Sequence, residues 1–474
     1  MPTSSSPTAK HQHRGGFYIG VTCPGCGGEL DLEQDLDILT CIHCGSVLRT
    51  IRPDVPPAYL VRGNAAQNEI RFAIDRYLKE KSLPLTGSDL YFKYVSYPYW
   101  KVDAVMLKVR NTREERVISS DDYESREVSF EQEKTDISLT PYVSTVRAGL
   151  AIAGIPETIG LRAQYIKMIP FSDENVQDSY DIMPVLRAFE DIQSDVKTSV
   201  ARLGSFSVAD FGSNITELMH PVGSVVFFPY VIVESYQGHH FSRFIVDGVT
   251  SRVIEHETVP ESESAVEAPS DPKLKFGMLK VDFHRCRNCG FDLPPEKSFV
   301  NICDNCQHVN LNDESKIAVR TIQSAELPDV KGAQLYPFWS FRIPDGQYPQ
   351  VRQLFGGIYG SDWFAMPAFK MANLEAMYRL SQRTSAALPK VNLDEIDGTD
   401  STFLPVTVGV DEASILANVI IFRRLLSTTG GRSREKIDFH PDEARLVYLP
   451  FHPEHYFYVD SILQAITFEK SLMK

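Results

Sequence analysis

The sequence predicts an α+β fold that is internally duplicated, in which each half has a four-cysteine metal site, a mixed or antiparallel sheet and packed helices. Three observations indicate this fold. All eight cysteines fall into two four-residue clusters. Aromatic and β-branched stretches of strand character alternate with amphipathic stretches of helical character. A Tyr-Pro-aromatic-Trp motif follows each cluster, at residues 97–100 and 336–339. The 474 residues are enough for roughly two to four domains.

The cysteines have the spacing of metal ligands. The first cluster is Cys23, Cys26, Cys41 and Cys44, and the second cluster is Cys286, Cys289, Cys303 and Cys306. Each cluster joins two C-x2-C pairs through a spacer, of 14 residues (27–40) in the first and 13 residues (290–302) in the second. Two such turns can face each other and hold four sulfurs in a tetrahedron, which suits Zn²⁺. Because four sulfurs fill the coordination shell, the pattern predicts two structural zinc ions.

The residue after each C-x2-C pair supports this interpretation. Gly27, Gly45 and Gly290 occupy that position, where the chain must turn so that backbone N–H groups can face the sulfurs, whereas Gln307 breaks the pattern. Disulfides are an alternative, but a long chain with cysteines at metal spacing favours a metal. Iron is a second alternative, because a tetrathiolate site can hold it.

The two clusters resemble zinc ribbons, small folds that occur in transcription factors, RNA-polymerase subunits and many bacterial accessory proteins. The resemblance covers residues 17–52 and 274–312 and implies that the eight cysteines bind zinc. The knuckles CPGCGG and CIHCG are also similar to those of rubredoxin, which keeps iron open. Since zinc ribbons serve many unrelated proteins, the resemblance implies no particular function.

The N-terminal segment 1–16 is rich in Ser, Thr, Pro and Gly, which predicts a disordered tail. In the first ribbon, apolar and acidic residues alternate with a period of two, which predicts a hairpin with one acidic face. The acidic residues are Glu29, Asp31, Glu33, Asp35 and Asp37. We interpret that face as solvated surface, with contact to a basic partner as the alternative.

An α+β module is predicted at residues 53–254. Helical spacing predicts one helix over residues 64–81, capped by Asn64, and another over residues 183–203. Residues 110–135 carry many charges, which predicts an exposed loop or an irregular hairpin. The acidic, Pro-containing stretch 255–273 is predicted to be a linker.

A second α+β module is predicted at residues 313–474, and it repeats the first in outline. The proposed order is ribbon, Tyr-Pro-aromatic-Trp strand, Pro-Phe strand, helix and Pro-aromatic strand, which together indicate duplication. The Pro-Phe strands are Ile169–Phe171 and Met366–Phe369, the closing strands contain Phe228–Tyr230 and Leu449–Phe451, and the helices of the second half are Met371–Ala387 and Asp411–Ser427. The Trp-containing strands are expected to form a core seam, with an aromatic peptide-binding groove as the alternative.

Composition and the lack of a signal limit the function. The net charge of −14 disfavours a general nucleic-acid binder. No apolar run approaches the roughly 18 residues of a membrane span, and no secretory signal is recognisable, so a cytoplasmic protein is expected.

No common catalytic motif occurs in the sequence. The densest His and Asp groups are expected to be surface or hairpin-turn residues rather than a metal site. They are His239, His240 and Asp247 in the first half, and His452, His455 and Asp460 in the second. The leading hypothesis is therefore a non-enzymatic zinc-binding scaffold or adaptor that contacts protein partners. The alternatives are a nucleic-acid-associated accessory factor that uses the ribbons and an enzyme whose site is assembled from distant residues.

Overall fold

The computed structural model of the chain describes 16 stretches of sequence. They are residues 18–33, 38–51, 55–83, 89–118, 128–160, 167–204, 215–237, 240–260, 276–277, 279–294, 299–306, 308–311, 317–343, 362–396, 402–428 and 439–473. The predicted tail at 1–16 lies outside them. The described residues form a mixed α+β fold with several sheets and four α-helices, as the sequence predicts. In this part of the chain, no helix combines the length and hydropathy needed to cross a membrane.

The chain before residue 261 contains twelve described strands and two helices. The strands are β1 (Tyr18–Thr22), β2 (Glu29–Glu33), β3 (Ile38–Thr40), β4 (Val47–Ile51), β5 (Ala58–Val61), β6 (Leu90–Ile118), β7 (Val128–Arg147), β8 (Lys167–Pro170), β9 (Asp181–Ile182), β10 (Ile215–Gln237), β11 (His240–Asp247) and β12 (Val253–Pro260). The helices are α1 (Gln67–Glu80) and α2 (Phe189–Gly204).

The chain after residue 275 contains the remaining ten strands and two helices. The strands are β13 (Lys280–Phe283), β14 (Val300–Ile302), β15 (Val309–Leu311), β16 (Ala318–Ser324), β17 (Gln334–Arg342), β18 (Trp363–Pro367), β19 (Asp394–Glu395), β20 (Glu443–Glu454), β21 (Phe457–Asp460) and β22 (Thr467–Glu469). The helices are α3 (Leu374–Ala387) and α4 (Val410–Thr428).

A ten-stranded first sheet is built around β10. Its path runs β12-β11-β10-β5-β8-β1-β2, and β6 pairs with β10, β7 and β9. The apolar residues of α2 pack with Trp100 on one face of this sheet, and the first cysteine cluster packs with Tyr97 and Tyr99 in another core. Helix α1 covers a third group of apolar residues that β10 and β11 supply. The strands β1 and β2 of the first ribbon therefore extend the sheet of the first module.

In the second half α3 begins at Leu374 rather than at the predicted Met371, because the Asn373 side chain caps it. Two helices of the first half also begin later than predicted. Helix α1 begins after Ala66, which makes no side-chain capping bond, and the backbone N–H of Asn64 donates instead to the Gly248 carbonyl at 2.9 Å. Helix α2 begins at Phe189 rather than at residue 183, because Met183 donates its backbone N–H to the Ser96 carbonyl and extends the contact of β9 with β6. In both cases a tertiary backbone bond replaces the local helical bond that the pattern predicts.

The charged stretch 110–135 is the outer part of a long antiparallel hairpin. Strands β6 and β7 stay in register from Tyr99 opposite Arg147 to Ile118 opposite Val128, and residues 119–127 lie outside the described residues. Of the two alternatives the hairpin is therefore confirmed, but its ladder is regular rather than irregular, since continuous pairing satisfies the backbone of a segment that has few large apolar side chains.

A seven-stranded second sheet is built around β20. Its path runs β18-β17-β20-β16-β19, and β21 extends β20 and pairs with β22. Strand β17 carries the second Tyr-Pro-aromatic-Trp motif, and its seven interior residues are all buried. Trp100 and Trp339 are both fully buried, so the core-seam prediction is confirmed and the aromatic groove is wrong.

The two sheets have the same arrangement around their central strands. In the first, β6 pairs antiparallel with one edge of β10, while parallel β5 and antiparallel β11 share the other edge. In the second, β17, β16 and β21 take the same places around β20. The registers also agree, because the motif tyrosines Tyr97 and Tyr336 lie opposite Phe228 and Leu449, the residues that precede the closing-strand prolines.

The predicted equivalence of the two Pro-Phe strands is wrong. Strand β8, which contains Ile169, pairs with β1 and β5, whereas β18 pairs with β17. The end of β7 takes the place of β18 in the first half, where Ala148 and Ala368 donate backbone N–H groups to Pro98 and Pro337 at 3.0 Å. A short Pro-containing tripeptide is compatible with several strand edges, so the tripeptide alone does not identify the position.

The predicted linker begins later than residue 255. Residues 255–260 belong to β12 and pair with β11, and the buried Arg243 guanidinium binds both Glu234 and Glu257. Glu257 of this stretch therefore pairs with a buried cation and belongs to the sheet. Residues 261–275 lie outside the described residues.

The start of the predicted second ribbon packs against the first half. The ring of Phe276 lies 5.9 Å from that of Phe171 and 6.0 Å from that of Phe227, and β13 pairs antiparallel with β4. Residues 276–277 and 279–283, which the sequence assigns to the second ribbon, therefore contact the first half before the chain enters the second cluster. Leu279 is buried there, and Phe276, Val281 and Phe283 are partly buried.

Candidate metal centres

Tight turns between paired strands hold the cysteines of the first cluster. One turn joins β1 to β2 and the other joins β3 to β4, where Thr22 lies opposite Glu29 and Thr40 opposite Val47. In each turn the backbone N–H of the first cysteine donates to the carbonyl of the residue five positions later. The carbonyl of the same cysteine accepts the N–H of the glycine after the second cysteine. All four distances are 2.9 Å. Gly27 and Gly45 have φ values of 73° and 75°, a conformation that glycine adopts without strain.

The second cluster uses the same turns. Cys286 donates to Phe291 at 2.8 Å and accepts from Gly290 at 2.9 Å, and Gly290 has a φ of 73°. In the fourth turn Cys303 donates to His308 at 3.1 Å, and Gln307 lies outside the described residues. The predicted role of the three glycines is confirmed.

The structure brings the four sulfurs of each cluster together, within 4.8 Å of one another. The Sγ–Sγ distances are 3.7 Å for Cys23 and Cys44, and 3.8 Å for Cys26 and Cys41. In the second cluster they are 3.6 Å for Cys286 and Cys306, and 3.4 Å for Cys289 and Cys303. A tetrahedral ion with metal–sulfur bonds of about 2.3 Å places its sulfurs about 3.8 Å apart, so both clusters fit zinc, or iron with similar bonds.

These distances also exclude disulfides within the clusters, because an S–S bond is about 2.05 Å long. All eight cysteines are free. Cys23 and Cys41 are buried in the core that the first cluster shares with the first sheet, while Cys26 and Cys44 face solvent. In the second cluster Cys286 and Cys303 are buried. Each candidate centre therefore lies at a boundary between core and solvent, and it has four sulfurs and no open position.

Four thiols this close do not ionise independently. Hydrogen bonds from the Ser46 hydroxyl and backbone amide lower the pKa of Cys44 to about 6. The Gly28 amide lowers the pKa of Cys26, but desolvation and hydrogen bonding with Cys44, Cys23 and Cys41 outweigh it and raise that pKa to about 12. A divalent cation removes this conflict, since it stabilises every thiolate at once.

The second cluster shows the same division. Desolvation raises the pKa of Cys286, but hydrogen bonds from the Cys289 amide and the Asn310 side chain outweigh it and lower the pKa to about 6. Desolvation raises the pKa of Cys303 to about 11. One buried sulfur thus favours the thiolate and its buried neighbour favours the thiol until a cation is present.

Three asparagines contact the sulfurs of the second cluster. The Nδ2 atoms of Asn288, Asn305 and Asn310 donate to Cys306, Cys289 and Cys286 at 3.5, 3.6 and 3.5 Å. These three residues were not predicted from the sequence, although Asn stands before the second cysteine in both CRNC and CDNC. That position, repeated in one cluster, is the signal that could have revealed Asn288 and Asn305, whereas Asn310 lies four residues after the last cysteine.

The surroundings of the first cluster are different. The backbone N–H of Gly25 donates to the Cys23 sulfur at 3.4 Å, and the Ser46 hydroxyl lies 3.3 Å from the Cys44 sulfur. His43 bonds through Nε2 to the Glu29 carbonyl at 3.0 Å rather than to a sulfur. No side-chain amide of a described residue bonds to a sulfur of this cluster.

The His and Asp groups singled out in the sequence are not brought together as metal sites in the described residues. Asp247 accepts backbone N–H groups from Val249 and Thr250 at 2.9 Å, and Asp460 accepts five such groups from residues 462–466. His452 bonds to the Ser461 hydroxyl at 2.9 Å. Both carboxylates therefore hold turns after β11 and β21, and His239 lies outside the described residues.

The knuckles also carry exposed apolar side chains. Ile42, inside the second turn of the first cluster, is 84% exposed, and Phe291, directly after the third turn, is 49% exposed.

On β2, Glu29 and Asp31 face solvent, and Lys167 binds them at 3.6 and 2.7 Å. The acidic face of the first ribbon is thus partly neutralised in the described residues.

A cavity of about 1170 Å³ opens between β1, β8 and β13. Its rim carries three basic residues, Arg62, Lys167 and Lys280, and three acidic ones, Glu29, Asp173 and Glu174. With equal numbers of both signs, the cavity favours no particular charge of ligand, so it identifies no substrate class.

Three comparisons with known proteins bear on identity. A scan against protein-family models, a search of curated proteins and a search of solved structures each found no match for this chain. Its function is therefore argued from the two candidate centres and the fold that holds them.

Proposed function

We propose that this chain is a non-enzymatic zinc-binding scaffold or adaptor that contacts other proteins. The observation that carries the proposal is the pair of four-sulfur clusters, each with the geometry of a closed tetrahedral site. A closed site offers no position for water or substrate, so its metal acts on the fold and not on a reaction. The first cluster shares a hydrophobic core with the first sheet, and Cys303 of the second directly follows β14, so the metals would fix the surfaces around them.

The metal content tests the first part of this proposal. Elemental analysis of the purified chain should give two zinc ions per molecule, and a colourless solution would separate zinc from iron. Replacing Cys41 with Ser should reduce the content to one ion and unfold the first ribbon, because the metal supplies much of the folding free energy of such a small unit. A chain that carries no zinc, or mostly iron, would contradict the proposal.

The adaptor role is tested on the exposed knuckle residues. Exposed apolar side chains held on a rigid turn can anchor a protein partner, since the ordering cost is already met in the free protein. We expect the double variant Ile42→Asp, Phe291→Asp to lose co-purifying partners while it keeps two zinc ions. Tyr456→Asp is the matched control, because Tyr456 is a large aromatic residue that is 82% exposed but lies outside both clusters. Equal recovery of partners with the unmodified chain, the double variant and the control would count against the knuckles as the contact surface.

We also propose that the chain arose by duplication of one unit. The support is a set of paired contacts as well as the common strand order. The indole Nε1 atoms of Trp100 and Trp339 donate to the Arg187 and Val408 carbonyls, both at 2.8 Å and both two residues before a helix. An experimental structure should superimpose β5, β6 and β10 on β16, β17 and β20 with the two indoles overlapping. Indoles on unrelated strands would refute the duplication.

A further inference from the structure

We propose that the two centres are not equivalent: the first cluster is an exchangeable metal centre whose occupancy holds β13 against β4, and the second cluster keeps its metal. This inference rests on the proposed function, because it assumes that both clusters bind zinc. It starts from the three asparagines that donate hydrogen bonds to the sulfurs of the second cluster. Among the described residues, no side-chain amide makes such a bond to the first cluster.

Hydrogen bonds to a metal-bound thiolate delocalise its charge and orient it. They make the sulfur a poorer target for protons and electrophiles and slow the loss of the metal. Groups of this kind typically change metal affinity by about 10- to 100-fold when they are removed. The second cluster has three side-chain amides on three different sulfurs, at 3.5 to 3.6 Å.

Asn310 shows how this support is built into the fold. Its side chain is buried, and its Oδ1 accepts the Arg287 N–H at 2.9 Å while its Nδ2 donates to the His308 carbonyl at 3.0 Å as well as to Cys286. It therefore ties the third turn to the fourth across the metal position. Counting four residues from the last cysteine, Leu48 takes this place in the first cluster, and it has no group that can bond to sulfur.

The other two places also differ. Gly25 and His43 stand where the second cluster has Asn288 and Asn305, immediately before the second cysteine of each turn. A Cβ atom on Gly25 would lie 3.3 Å from the ring of Phe283, so the space that an amide would need is taken by β13. At this position the first cluster thus has a contact with the strand that leads to the second half in place of a side-chain amide, and it is the Gly25 backbone N–H that donates to a sulfur.

That contact connects the metal to the joint between the halves. Phe283 lies opposite Leu48 on β4, and the N–H of His284 donates to the Val47 carbonyl at 2.9 Å. Strand β4 begins three residues after Cys44 and also pairs with β3, which ends at the residue before Cys41. The first metal links the two turns of the first cluster, and the position of β4 depends on that link. When the metal is lost, β4 should no longer be held in place, so β13 should lose its pairing with β4.

The test follows zinc release from the full chain loaded with two zinc ions. An excess of a chromophoric chelator measures the release, and samples are alkylated at intervals with N-ethylmaleimide and mapped by peptide mass spectrometry. We expect Cys23, Cys26, Cys41 and Cys44 to be labelled with the first equivalent released, about tenfold faster than the second cluster. Simultaneous labelling, or earlier labelling of the second cluster, would overturn the inference.

Variants separate the effect of the amides from that of general stability. Asn288→Gly with Asn305→His places the residues of the first cluster in the second, at two exposed positions. We expect this variant to release its second zinc about tenfold faster and its first at the original rate. His308→Ala is the control, because His308 is exposed beside the same turn and its backbone bonds are unaffected. Unchanged release from the asparagine variant would overturn the role of the amides.

Hydrogen exchange measured in the same time course tests the link to β13. Protection of the Lys280–Phe283 amides should fall with the first equivalent of zinc, whereas protection that lasts until the second equivalent would overturn the coupling. The starting metal content separates this inference from the proposed function. Two zinc ions that leave at equal rates would refute only the difference between the centres, and a chain without zinc would refute the proposed function.

Discussion

Single residues connect the sheets of this protein to the helices that cover them. Trp100 and Trp339 fill the core beside a central strand, and each indole N–H satisfies the carbonyl of the segment that leads into α2 or α4. The adjacent backbone N–H groups of residues 186–187 and 407–408 donate to the Ala148 and Ala368 carbonyls. One indole and one alanine therefore set the entry of a helix onto its sheet in each half.

Truncation of Trp339 should strongly destabilise the second half. We expect Trp339→Ala to lower the free energy of unfolding by about 3–5 kcal/mol, since it leaves a large cavity and removes the partner of the buried Val408 carbonyl. Urea denaturation measures this change. Trp363→Ala is the matched control, and we expect it to lower the free energy of unfolding by about 1–2 kcal/mol. The loss is smaller because Trp363 is partly exposed, and the Arg445 guanidinium lies 4.2 Å from the centre of its ring. Equal losses for the two variants would contradict the seam role of Trp339.

The residues of the candidate centres were predictable to different degrees. The cysteines and Gly27, Gly45 and Gly290 follow from local geometry, because a C-x2-C turn fixes its own φ angles and bonds. Asn310 does not, because its contacts with Arg287 and His308 depend on how two separate turns face each other. A period or a motif describes neighbours along the chain, whereas such a contact depends on the tertiary fold.

At the scale of elements, the kind of each segment was easier to predict than its ends or partners. The apolar period identifies α1, and Ile70, Ile74 and Leu78 are buried as expected. Its start is set by the bonds of Asn64 and Ala65 to the Gly248 carbonyl, which join residues far apart in sequence. The failed match of β8 with β18 has the same cause, because an edge strand is chosen by its neighbours and not by its own sequence.

The caps of α1 and α3 offer a paired test of these boundaries. Asn373 caps α3, where its side chain accepts the Ala376 N–H at 2.8 Å, while the exposed Ala66 of α1 makes no such bond in a similar extended conformation. We expect Asn373→Ala to lower the free energy of unfolding by about 1 kcal/mol. We expect Ala66→Ser to raise it by about 0.5–1 kcal/mol, because serine can cap α1. Thermal or urea denaturation measures both. A loss of about 1 kcal/mol of stability in Asn64→Ala would instead show that Asn64 caps α1.

At the scale of the whole molecule, the halves are joined on both sides of the predicted linker. Strand β13 belongs by sequence to the second half but pairs with β4 of the first. On α4, Val419 and Phe422 pack with Leu107 and Val109 of β6. The sequence predicts two separate modules, because nothing in a local pattern shows that one element completes the sheet of another. The long β6–β7 hairpin, predicted as a charged loop or an irregular hairpin, provides part of this contact.

Cleavage of the linker should therefore leave the molecule in one piece. Limited proteolysis is expected to cut first within residues 261–273, because an acidic, Pro-containing segment has little buried backbone to protect it. The two fragments should co-elute in size-exclusion chromatography and each should contain one zinc ion. The fragment that starts after the cut carries Phe276 and β13, which are inserted among residues of the first half. Denaturant should separate the fragments. Separate elution under native conditions would mean that these contacts are too weak to hold the halves together, and resistance of residues 261–273 would mean that the linker itself is protected by the fold.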